Sequence, residues 1–88
     1  MRCVHFNIRG KVQGVWFRQS TKNTAQSLSL TGWVCNKSDG SVELVACGED
    51  KNLMLLEEWL QQGPPAATVD SVISESCLIK SFDDFQVK

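Results

Sequence analysis

The tetrapeptide Lys37-Ser38-Asp39-Gly40 separates two strand-like runs, and beyond each run lies a segment with helical spacing. An Asp-Gly pair supplies the positive φ that a tight hairpin demands. Gly32-Trp33-Val34-Cys35-Asn36 and Ser41-Val42-Glu43-Leu44-Val45-Ala46-Cys47 therefore read as an antiparallel pair. A hairpin with a helix before it and a helix after it leaves few architectures open to 88 residues.

The remaining elements narrow them further. Cys3 to Arg9 alternates strictly, with Val4, Phe6 and Ile8 on one side, the mark of a half-buried strand. Phe17, Thr21, Ala25 and Leu28 recur at helical spacing in a stretch without Gly or Pro, which predicts a helix from Phe17 to Leu28. A second helix is expected from Asp50 to Gln62, with Leu53, Leu56 and Leu60 as its core stripe and Gly63-Pro64-Pro65 as its stop. A strand from Val69 to Cys77 and a short one, Phe85-Gln86-Val87, complete the chain. The order β-α-β-β-α-β plus a terminal strand predicts an α+β ferredoxin-like sandwich: a mostly antiparallel sheet with two helices on one face. Residues 1–88 are expected to form one domain. That fold serves many unrelated activities and names none.

Composition excludes several classes. A net charge of −1 and a pI of about 5.7 argue against a nucleic-acid binder. An RNA-binding module of the same outline needs exposed aromatics on its central strands, yet His5, Asn7, Glu43 and Val45 alternate outward there. No apolar run approaches the roughly 20 residues of a membrane helix, and the start carries no signal-peptide core. A cytoplasmic location without membrane contact is expected, and the sequon Asn36-Lys37-Ser38 is expected to stay unmodified. The four cysteines are widely spaced and His5 is the sole histidine, so no metal site is predicted. In the predicted sheet the first and third strands are antiparallel neighbours. Cys3 and Cys47 then meet on the face opposite Val4, Phe6 and Ile8, where a disulfide is geometrically allowed. A reducing cytoplasm opposes the bond. Cys35 and Cys77 read as free thiols.

The run Gly10-Lys11-Val12-Gln13-Gly14-Val15-Trp16-Phe17-Arg18 joins the first strand to the first helix. N–H groups at a helix start lack intrahelical partners and sit at the positive end of the dipole. Two glycines let the backbone curl so that several N–H groups converge on an anion such as phosphate. Arg18 adds a planar fork able to hold two oxygens. The plainer reading is a surface turn with a solvated arginine. Neither the P-loop nor the dinucleotide-binding pattern is present. Asn36 likewise has a plain reading, an Asx turn opening the hairpin. Trp33 and Trp59 read as packing residues, His5 as a surface histidine and Lys11 as a solvated lysine.

Two stretches in order resemble the signatures of the acylphosphatase family: Gly10 to Arg18, and Gly32-Trp33-Val34-Cys35-Asn36 through Gly40 to the Val42-Glu43 pair. The likeness extends to Thr21, to Glu58-Trp59-Leu60 and to Asp84-Phe85-Gln86, and so covers essentially the whole chain. Trp16 and Cys35 depart from the commonest pattern, where a smaller or phenyl residue and a longer polar residue are usual.

The resemblance implies hydrolysis of an acyl phosphate to a carboxylate and inorganic phosphate. It implies that Arg18 and the N–H groups of Gln13, Gly14, Val15, Trp16, Phe17 and Arg18 bind the phosphoryl group. Asn36 would hold the attacking water, with Thr21 in support. Such a mixed anhydride has a good leaving group, so positioning and charge stabilisation can dominate. No cofactor or metal is implied, and the expected partner is the small-molecule substrate of a free-standing monomer. The competing readings are a non-enzymatic ferredoxin-like module that binds an anion or small ligand for regulation, and an acylphosphatase-like domain of a larger maturation enzyme.

Overall fold

The computed structural model describes residues 1–78 and 81–88. Its elements are β1 (Arg2–Lys11), α1 (Phe17–Ser27), β2 (Thr31–Asn36), β3 (Val42–Gly48), α2 (Asp50–Gln62), β4 (Thr68–Cys77) and β5 (Phe85–Val87). The strands form one sheet in the order β4-β1-β3-β2-β5. Every pairing is antiparallel except β2 with β5. This is the ferredoxin-like arrangement that the order of periodicities predicts.

The core follows from alternation. Val4, Phe6 and Ile8 of β1, Val34 of β2 and Val42, Leu44 and Ala46 of β3 point to one face. Phe17 and Ala25 of α1 and Leu53, Leu56 and Leu60 of α2 close over them. Each such buried aliphatic or aromatic side chain stabilises the fold by about 1.5–3 kcal/mol relative to exposure. Trp59 packs on this core, its ring 5.7 Å from that of Phe17.

Most element boundaries shift from expectation by a residue or two, and three of these shifts have a clear local reason. β1 runs on through Gly10 and Lys11, because a bulge after Arg9 lets those two residues pair with Val69 and Thr68 of β4. The loop to α1 therefore shrinks to residues 12–16. Gly10 has φ 130, and a side chain there would collide with the Thr68 carbonyl. Helix α1 stops at Ser27, with the Leu28 N–H folded back on Thr24 and Ala25 carbonyls. Ser41 lies outside β3 because Asp39 accepts hydrogen bonds from both its N–H and its hydroxyl.

The face away from the helices carries a second cluster, in which Cys3, Val45 and Cys47 are buried with Trp33, Cys77 and Phe82 against them. Cys3 stands opposite Cys47 in the β1–β3 register, and the two form a disulfide with Cα atoms 4.1 Å apart. Cys35 and Cys77 are free thiols. Closing a loop of 44 residues contributes about 4 kcal/mol in the chain-entropy account of cross-links. Cys3→Ser is therefore expected to lower the unfolding free energy of the oxidised protein by up to about that amount. Denaturant titration checks this, and equal stability of the oxidised and reduced wild type would contradict it. His5 is not a free surface residue: its Nε2 lies 2.7 Å from Glu43 Oε2, half-buried on the open face.

Candidate active site

The loop between β1 and α1 owes its shape to two left-handed residues. Gly14 has φ 74, which glycine adopts without steric cost. Trp16, the N-cap of α1, has φ 65 and ψ 20, and its carbonyl accepts the first helical hydrogen bond, from the Ser20 N–H. Residues 13–16 form a series of bends without a turn hydrogen bond. The N–H groups of Gly14, Val15 and Trp16 have no hydrogen-bond acceptor among the described residues. Successive free N–H groups at a helix start form an anion-binding concavity.

The loop is tied down from below. Val15 is buried, and the Gln13 side chain donates to the carbonyls of Lys37 at 2.7 Å and Ser41 at 2.9 Å. Both acceptors belong to the β2–β3 hairpin, so Gln13 clamps the loop to the strand end that carries Asn36. Its amide NH2 is thus occupied by the hairpin.

Arg18 stands in the first turn of α1. One of its guanidinium nitrogens, Nη1, donates to the Lys88 main-chain oxygen at 3.0 Å, which orients the fork and leaves further N–H donors unused. Asn36 is exposed at the end of β2, and its side chain has no hydrogen-bond partner among the described residues. The Asx-type bond of the hairpin belongs instead to Asp39, whose Oδ1 accepts from the Ser41 N–H at 2.9 Å. Gly14, Trp16, Phe17, Arg18 and Asn36 line one cleft of about 440 Å³. Thus a helix N-terminus, a cation and a neutral amide from two separate elements share one opening.

The acylphosphatase family model matches residues 4–87, nearly the whole chain. The chain belongs to the acylphosphatase family. An acylphosphatase of Coxiella burnetii is 51% identical over 86 residues, 98% of this chain and 90% of the relative. A crystal structure of the Bacillus subtilis acylphosphatase superposes with a TM-score of 0.97 at 29% identity, covering 100% of this chain and 99% of that one. Full-length HypF, in its phosphate- and nucleotide-bound form, contains a similar domain: TM-score 0.89 at 32% identity, covering 99% of this chain and 12% of that one.

Several residues of this acylphosphatase-family cleft have no signal in the sequence. Val12, Gln19 and Val87 also line it, and Lys88 holds the arginine. The β2–β5 pairing brings the last two residues there, with Lys88 N–H donating to the Val34 carbonyl. Thr21 does not bond to the loop; it is fully buried, and its hydroxyl has no partner among the described residues. Helical spacing places it directly beneath Phe17, in the core rather than at the cleft.

Neighbouring titratable groups are set by simple contacts. Burial pushes the Cys35 thiol up from its ordinary value, and the Glu43 carboxylate 3.8 Å away adds to the effect. A thiol held protonated is a poor nucleophile. The Ser41 hydroxyl, and then its N–H, hold the Asp39 carboxyl below the usual carboxylate range. A carboxyl depressed in the folded state adds stability above its unfolded pKa and loses it as pH falls through the folded one. The stability advantage of wild type over Asp39→Ala should therefore be present at neutral pH and vanish below the carboxylate range. Thermal unfolding of both proteins across that range measures it, and an advantage that grows on acidification would refute the assignment.

Proposed function

We infer that this protein hydrolyses acyl phosphates, releasing a carboxylate and inorganic phosphate. The observation that carries the reading is the shared cleft of Arg18, Asn36 and the unpaired N–H groups at the start of α1. The phosphoryl group sits in the loop, where the N–H groups of residues 13–18 and the Arg18 fork take its equatorial oxygens. Asn36 is neutral and does not act as a base; its amide hydrogen-bonds a water and directs it at phosphorus. The water oxygen bonds to phosphorus as the bond to the acyl oxygen breaks, and the carboxylate leaves with that electron pair. A phosphoryl oxygen takes the water proton. Positioning and electrostatic stabilisation supply the acceleration, as in phosphoryl transfer generally.

No three His, Cys, Asp or Glu side chains converge as metal ligands among the described residues, and no described helix is long and apolar enough to cross a membrane. A metal-independent cytoplasmic monomer without a cofactor, acting as one domain, completes the proposal.

The deciding assay is hydrolysis of benzoyl phosphate by the purified protein with chelator present, followed by ultraviolet absorbance. Turnover under those conditions is expected. Binding of inorganic phosphate without turnover would instead leave an anion-binding regulatory module.

A further inference from the structure

We propose that the Trp16 indole is the acyl-group platform of this cleft and biases the enzyme towards acyl phosphates with a flat, apolar acyl group. The inference rests on the hydrolase reading above and adds a substrate class to it.

Two independent observations single out Trp16. It is 79% exposed, the most exposed aromatic of the described residues, and it lines the cleft. Its backbone is left-handed at φ 65, a region that bulky L-residues rarely hold and that glycine would occupy without strain. Strain kept at a cleft points to use. Gly14, two residues earlier, shows the unstrained solution within the same loop.

The chemistry of the substrate fixes what the ring would meet. Once the phosphoryl group occupies the loop N–H groups and the Arg18 fork, the acyl carbon lies one bridging oxygen further out. Whatever it carries must leave the cradle towards the rim. The exposed large apolar residues of the cleft lining are Trp16 and Val87, the latter 36% exposed, beside polar Gln19. A flat ring can stack offset on an indole and shed water from both faces. A methyl group is too small to cover it, and a charged acyl group would lose hydration against it.

The test compares kcat/KM for benzoyl phosphate with kcat/KM for acetyl phosphate, in wild type, Trp16→Phe and Trp16→Gly. Using the ratio cancels the intrinsic reactivity of each substrate and any general effect on the loop. Glycine accepts the positive φ, so that variant keeps the backbone turn, and its circular dichroism spectrum verifies the fold. The benzoyl-to-acetyl ratio is expected to fall about tenfold in Trp16→Gly and to be largely retained in Trp16→Phe. The same ratio in all three proteins would overturn the platform while leaving the hydrolase intact. Wild type that turns over neither compound would overturn the hydrolase reading, and the platform with it.

Discussion

Replacing Asn36 by alanine will lower kcat for benzoyl phosphate about a hundredfold to a thousandfold, the range seen when one well-placed hydrogen-bonding group is removed from a reacting centre. The affinity for inorganic phosphate, read as competitive inhibition, will change little. The split is the informative part. Asn36 makes no side-chain hydrogen bond within the described protein, and the hairpin beside it is held by Asp39 and by Gln13. Removing the amide therefore takes away no structural contact. On the proposed mechanism it leaves the phosphoryl cradle as it was and the attacking water unplaced. Parallel loss of turnover and phosphate affinity would refute a water-positioning role. It would return Asn36 to the part of a turn residue.

Arg18→Ala should behave differently, losing phosphate affinity and turnover together. A bidentate, charge-assisted contact to an anion is worth several kcal/mol when its partner is left unpaired, so a loss of about a hundredfold or more in inhibition by phosphate is expected. Arg18→Lys should recover only part of it, since an ammonium supplies the charge without the fork. The bond from Nη1 to Lys88 makes this sharper, because the guanidinium is already oriented in the free protein and a lysine has no second arm to hold the strand while binding the ligand. Full phosphate affinity in Arg18→Ala would show that the loop N–H groups bind the anion by themselves.

The sequence carried the elements because periodicity and turn chemistry are local signals, whereas the roles expected of Arg18 and Asn36 came only from the resemblance of two stretches to the family's signatures. Val4, Phe6 and Ile8 alternate, Leu53, Leu56 and Leu60 recur by turns, and Asp39-Gly40 forces a reversal. Periodicity leads from there to the sheet order, and the order brings the ends of β1 and β2 to one side. What stayed illegible depends on tertiary geometry. The β1 bulge exists only because β4 offers Thr68 and Val69 as partners. Gln13 reads as one more loop N–H, whereas its amide reaches across 24 and 28 positions to two hairpin carbonyls. The Lys88 oxygen is 70 positions from Arg18 and arrives by a strand pairing no pattern announces. His5 meets Glu43 only through the diagonal offset of two neighbouring strands.

The covalent link and the cleft lie at opposite ends of β1. Cys3 and Cys47 occupy the start of β1 and the end of β3, while the loop leaves β1 after Lys11, eight residues and about 26 Å of strand further on. Two kinds of change can therefore accumulate without competing. A lineage that moves between oxidising and reducing surroundings can gain or lose the bridge as a matter of durability alone. Its catalytic end feels only the shared core. Conversely, the rim around Trp16 can drift to suit a new acyl group at no cost to how the sheet is stapled, so persistence and selectivity are tuned by different residues.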